Sequence, residues 1–276
     1  MTSKENRATR SEFLRLTSGV FFTFFLALTL FSYHAYQVSS FEMVERVGVI
    51  AAEEIIDIQS LMEIYYPELE RFAQSDSGAP LVVPGLNIEL DVHATDMRDV
   101  PREQLGAFIA SAIIREMYYH GFTDTINSTG LPPSSRLEID RLGMLADTFV
   151  SKKFNDNVYK LFVFAGLLGC LSGILFFVSS RGFYKLTGLG GSLILVGMSA
   201  LLLVLIRARV EGMLGENDFA PRLMTEAILP FLVLAQRNYV IVLLLGIGLF
   251  LAGRSGMFLT RNKVRDSVDS SRLDKA

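Results

Sequence analysis

The residues able to do chemistry are few, and their spacing does not assemble a reaction centre. The chain has three histidines, His34, His93 and His120, and one cysteine, Cys170. It has no Gly-x-Ser-x-Gly, no phosphate-binding glycine loop and no His-Glu-x-x-His or other metal-ligand spacing. Ser172, Ser179, Ser192 and Ser199 lie within apolar runs where no His, Lys or Asp is at hand to activate a hydroxyl. Proton relays inside a bilayer are chains of Asp, Glu and His, and the centres of the second and third apolar runs contain none. No catalytic, cofactor-binding or metal-binding residue is therefore expected, and no cofactor.

Two other groups of residues have functional spacing. Asn127-Ser128-Thr129 fits the glycosylation acceptor pattern, making Asn127 a candidate modification site. The apolar runs are studded with glycine. Gly169 and Gly173 form a GxxxG with Gly166 one turn earlier, and Gly188, Gly190, Gly191 and Gly197 mark the next run. Small residues let helix backbones approach in lipid, where no hydrophobic drive pushes them together. Gly166, Gly169, Gly173 and Gly197 are the helix-packing candidates, with packing of the second and third runs on each other as the expected use and oligomer contact as the alternative.

Helices must present these residues, and the apolar runs say where they are. Each run approaches the roughly 20 residues a helix needs to cross a bilayer core. The spacing predicts four spans, at 16–38, 161–180, 186–206 and 238–258. The first is an uncleaved anchor, because its apolar core continues through Tyr33, His34 and Tyr36 with no small-residue cleavage site. Only Arg181 to Lys185 separates the second and third, which makes them a tight antiparallel hairpin. The fourth is interrupted by Gln236, Arg237 and Asn238. An arginine at the bilayer centre costs on the order of 3 kcal/mol, so the span is expected to begin at Asn238. Residues 207–237 would then form an outer segment with an interfacial helix kinked at Pro230.

Charge orients the spans. Lys4, Arg7, Arg10 and Arg15 precede the first, Arg181 and Lys185 lie between the second and third, and Arg254, Arg261, Lys263, Arg265, Arg272 and Lys275 lie at or beyond the end of the fourth. Short basic flanks stay cytoplasmic. The tails 1–15 and 259–276 and the central turn are thus expected inside, in a plasma (inner) membrane, with the domain 39–160 outside. That domain carries about twice as many acidic as basic residues, which argues against a nucleic-acid partner. The net charge of -3 conceals this division. A lone cysteine permits no intrachain disulfide, so the domain must be held by its own core or by the membrane beside it.

Within the domain, Val44, Val47, Ile50 or Ala51, Ile55, Ile58, Met62, Tyr65, Leu69 and Phe72 recur at helical spacing, with Glu45, Glu53, Glu54, Asp57 and Glu63 on the solvated remainder. No breaker separates this pattern from the first span, so one rigid helix is expected through about Tyr66, with Pro67 its only kink point. Ile88, Leu90 and Val92 alternate beyond Pro84-Gly85, as a short hairpin would. Leu105, Phe108, Ile109, Ala112, Ile113 and Met117 form one helical face that Gly121 ends, and Ser135 to Glu138 resembles a capping box that opens a last helix.

The expected fold class is an α-helical membrane protein: four transmembrane helices with a mainly helical extracytoplasmic domain containing a minor β element. The expected function is that of a non-enzymatic multi-pass envelope protein, an accessory, assembly or sensing component acting through the acidic domain. Its partners would be the lipid bilayer and a membrane or extracytoplasmic protein, or a second copy of itself. The alternative is a channel or transporter subunit that forms a homo-oligomer around a pore or substrate path.

Overall fold

The computed structural model describes residues 3–55, 58–75, 78–83, 88–121, 148, 150–212, 222 and 224–273. Asn127, the Pro84-Gly85 turn and the capping box at Ser135 lie outside the described residues. The chain divides into two compact units, the first built from 1–33, 160–212 and 232–276, the second from 34–159 and 213–231.

The first unit holds the apolar helices: α1 (Ser3–Val38), α7 (Lys152–Ser179), α8 (Tyr184–Gly197), α9 (Ser199–Glu211) and α10 (Leu229–Leu273), of which α1, α7 and α10 continue into the second unit. Four stretches are long and apolar enough to cross a membrane: Glu12–Val38, Lys152–Ser179, Tyr184–Arg209 and Thr225–Arg261. They fit a multi-pass membrane protein. The third is α8 followed by α9, joined through Met198, where the Leu201 amide donates to the Met198 carbonyl at 3.0 Å and tightens one turn. Gly182, at φ 54°, turns the chain from α7 into α8. That left-handed backbone suits a residue without a Cβ.

The fourth stretch departs from expectation. α10 runs unbroken from Leu229 through Gln236, Arg237 and Asn238, so the helix end expected at those residues is absent. Pro230 is the second residue of α10 and directly follows a π-turn at Met224–Ile228, so the expected disturbance at Pro230 takes the form of a π-turn that accommodates a ring and a missing N–H.

The second unit contains α2 (Phe41–Ile55), α3 (Ile58–Ile64), α4 (Tyr66–Gln74), the strands β1 (Leu81–Val83) and β2 (Ile88–Leu90), a short α5 (Ala94–Met97), a 3-10 turn at Arg102–Gln104 and α6 (Leu105–His120). The strands pair antiparallel with Leu81 opposite Leu90 and Val83 opposite Ile88, and all four face inward while Val82 and Glu89 face out. α6 packs on α2 and α3. Around it Met62, Leu69, Val83, Leu90 and Ile109 are fully buried, joined by Ile58, Leu81, Met97, Leu105 and Ile113. Gln59 of α3 fastens the start of α6, accepting from the Gly106 amide at 3.0 Å and donating to the Arg102 carbonyl at 3.2 Å. It thus serves an amide that no residue of α6 itself can reach. A Cβ on Gly106 would lie 2.9 Å from the Gln59 Cα, so this approach requires glycine.

The rigid helix expected through Tyr66 is absent. α1 ends at Val38, Ser39 and Ser40 form a turn and a bend, and α2 starts afresh at Phe41. Further along, Tyr65 separates α3 from α4, and Pro67 sits in the first turn of α4 instead of kinking a longer helix.

Candidate functional site at the ends of two spans

The break at Ser39-Ser40 has an identifiable cause. The Ser39 hydroxyl bonds back to the Ala35 carbonyl at 2.9 Å and lies 3.3 Å from that of Tyr36, a pattern that bends helices. The Ser40 amide, which would seek the Tyr36 carbonyl in a continuing helix, goes to Gln37 instead, at 3.3 Å. The carbonyls released by this turn are taken up by side chains from elsewhere in the second unit. Asn155, one turn into α7, donates from Nδ2 to the Tyr36 carbonyl at 2.8 Å and to the Ser39 hydroxyl at 3.0 Å. Tyr118, near the end of α6, donates its phenol to the Ser39 carbonyl at 2.9 Å. Ser39, Tyr118 and Asn155 are all buried, and buried polar groups matched in this way fix one arrangement.

Aromatic rings enclose the hydrogen bonds. Tyr36 packs on Tyr159 with centroids 5.4 Å apart, and Phe41 lies 5.6 Å from Tyr118 and 5.8 Å from Tyr119. Arg115 sits 5.8 Å over the Phe41 ring and Lys152 5.0 Å over that of Tyr119. Rings with one polar edge suit the boundary between apolar and wet surroundings, and here they gather where the stretch ending at Val38 and the stretch starting at Lys152 meet the domain helix α6. Burial pushes the Tyr118 phenol up to about 12, with the charges of Tyr119, Asp156, Tyr36 and Glu42 adding to it. The phenol therefore remains a neutral donor at every physiological pH. The cluster can bind and orient helices. Among the described residues it contains no nucleophile with a base beside it and no arrangement of metal ligands.

A second polar contact ties α2 to the segment preceding α10. Arg222 Nη1 lies 2.8 Å from Glu53 and its Nε 3.2 Å from Glu226. Glu45, one of the acidic residues assigned to a solvated face, instead accepts a hydrogen bond from Ser111 of α6. His93 and His120 are exposed, 3.9 Å from Asp91 and 3.5 Å from Glu116 respectively, while His34 is buried with its ring edge-on to Phe231. Among the described residues no three His, Cys, Asp or Glu side chains gather as a metal site.

The helix-packing glycines lie in the first unit. A Cβ on Gly173 would lie 3.0 Å from the Phe22 ring, one on Gly169 3.6 Å from Phe25, and one on Gly166 3.8 Å from Thr29. This face of α7 therefore looks onto α1 and not onto α8. Gly197 meets α10, its added Cβ falling 2.6 Å from the Leu243 backbone, and Gly190 and Gly246 press the same two helices together, at 2.5 Å from the Phe250 amide and 2.7 Å from that of Ile194. Between α7 and α8 the contact is the buried Phe176 ring against Gly188, with Gly19 of α1 on another side of that ring. Thr23 of α1 donates to Ser192 of α8 at 2.8 Å, so that serine holds two helices together.

Ser39, Tyr118 and Asn155 were not singled out by type or spacing. Two successive hydroxyls at Ser39-Ser40 are a local signal for a helix end. The partners, 79 and 116 residues away, leave no mark in the local pattern. Comparison with protein-family models, curated proteins and solved structures finds no match to this chain.

Proposed function

We propose that this is a non-enzymatic multi-pass envelope protein, an accessory, assembly or sensing component that works through an acidic extracytoplasmic domain, with both termini in the cytoplasm of a plasma (inner) membrane. The observation that carries the reading is the buried linkage of Tyr36, Ser39, Tyr118 and Asn155. A domain helix grips the end of one apolar stretch and the beginning of another. A partner that shifts α6 would move both span ends, as sensing or assembly requires. The orientation rests on the basic flanks at 1–15, 181–185 and 259–276 and on the acidic excess of 39–160.

Partner docking and self-association are separable in the full-length protein purified in mild detergent. A photo-crosslinker placed at Ile64 or Val82, both exposed on the domain, should give one adduct of defined mass with a second protein or a second copy. A closed ring of identical subunits by mass, with no adduct from either domain position, would favour the rival reading, a channel or transporter subunit. A monomer with no adduct would contradict both.

A further inference from the structure

Where α7 turns into α8, the chain lies beside residues 254–261 of α10, and the two enclose an open cleft of about 1190 Å³. Arg181, Arg254 and Arg261 line it together with Phe183, Tyr184 and Phe258, and no acidic side chain is among the described lining residues. Glycines bring its walls together. A Cβ on Gly256 would overlap the Phe183 ring, and one on Gly253 would lie 2.6 Å from the Thr187 amide. Arg254 rests over the Phe250 ring at 5.6 Å, which holds its cation against the helix. α8 begins at Tyr184 with no side-chain cap, so its positive helix end adds to the three guanidinium groups.

We infer that this cleft binds the headgroup phosphate of an anionic phospholipid. Guanidinium groups match phosphate oxygens in charge and in geometry. The apolar surface beside them selects a lipid over a soluble anion. Phe258 and Leu259 are about two-thirds exposed, at 66% and 68%, next to Arg261, and an acyl chain descending from the phosphate would cover them. The cleft also stands at the ends of the stretches Lys152–Ser179 and Thr225–Arg261 and the start of Tyr184–Arg209, where lipid headgroups lie. Basic pockets between helices at that level are suited to anionic headgroups.

The test uses full-length protein in mild detergent, titrated with phosphatidylglycerol, with phosphatidylcholine and with inorganic phosphate, and read by lipid retention in native mass spectrometry and by thermal shift. Phosphatidylglycerol should bind at least roughly tenfold more tightly than phosphatidylcholine, and the combined Arg181→Gln, Arg254→Gln, Arg261→Gln variant should lose that preference. The corresponding lysine variant, which keeps the charge, should retain most of it. Should the triple glutamine variant fail to fold, Arg261→Gln alone should weaken the preference by a factor of about five. Equal binding of the two lipids, or an unchanged preference in whichever glutamine variant folds, would overturn the proposal. Inorganic phosphate giving the same thermal shift over the same concentrations would make this a general anion site and overturn the lipid assignment.

Discussion

The Asn155 amide lies 2.8 Å from the Tyr36 carbonyl, joining the first turn of α7 to the end of α1 across 119 residues of sequence. The same nitrogen reaches the Ser39 hydroxyl at 3.0 Å, so one side chain serves both the last turn of a helix and the bend that ends it. Removing it strands two buried acceptors at once. Asn155→Leu should lower the unfolding free energy by about 1–3 kcal/mol, and Tyr118→Phe, which strands one carbonyl, by about 1 kcal/mol. Asn157→Ala, at an exposed position two residues along α7, should stay within about 0.5 kcal/mol of wild type. Thermal or urea unfolding in mild detergent measures all three, and equal stability of the Asn155 and Asn157 variants would dissolve the linkage.

Tyr118 also gives the domain a pH signature. Its phenol is pushed up from 10.0 to about 12, first by burial and then by nearby negative charge. A group whose folded pKa lies above its unfolded one contributes stability that is fully present below the unfolded value and is lost as pH rises through the folded value. Wild-type protein should therefore lose stability relative to Tyr118→Phe between about pH 10 and pH 12, and the difference between the two should be flat from pH 6 to 9. Parallel curves across the whole range would mean that the phenol is solvated.

Much of the architecture is legible from local pattern. The apolar runs locate the membrane-crossing helices because length and hydropathy are properties of a single segment, and the alternation at Ile88, Leu90 and Val92 appears as inward-facing residues of a two-stranded sheet and its exit. What local pattern misses depends on distant partners. The apolar spacing through Ser39 looks uninterrupted, yet the helix ends there in a serine turn whose released carbonyls are taken up by Tyr118 and Asn155. Gln236 to Asn238 look like a boundary, yet backbone hydrogen bonding carries α10 straight through them. Glycine spacing marks a packing face without naming its partner, so the face of Gly169 and Gly173 could be read from sequence while its contact with α1 could not.

The glycines of the apolar helices divide into two groups that substitution should separate. Gly190→Ala and Gly197→Ala each drive a methyl into the backbone of α10 and should destabilise by about 1–3 kcal/mol. Gly191→Ala and Gly248→Ala meet nothing within 4 Å and should be neutral or slightly stabilising, since alanine is the better helix former. Replacing both Gly169 and Gly173 by Leu should separate α7 from α1 and lower thermal stability further than any single alanine. If all four alanine variants melt together, close backbone approach does not hold these helices.

Which side of the membrane the acidic domain occupies decides the proposed function. In a Cys170→Ser background, Glu103→Cys and Ser271→Cys place single thiols on the exposed 3-10 turn before α6 and near the end of α10. An impermeant thiol reagent added to intact cells should label position 103 at once and position 271 only after the membrane is opened. Labelling of 271 in intact cells, with 103 protected until lysis, would put the acidic domain in the cytoplasm and contradict the proposed function.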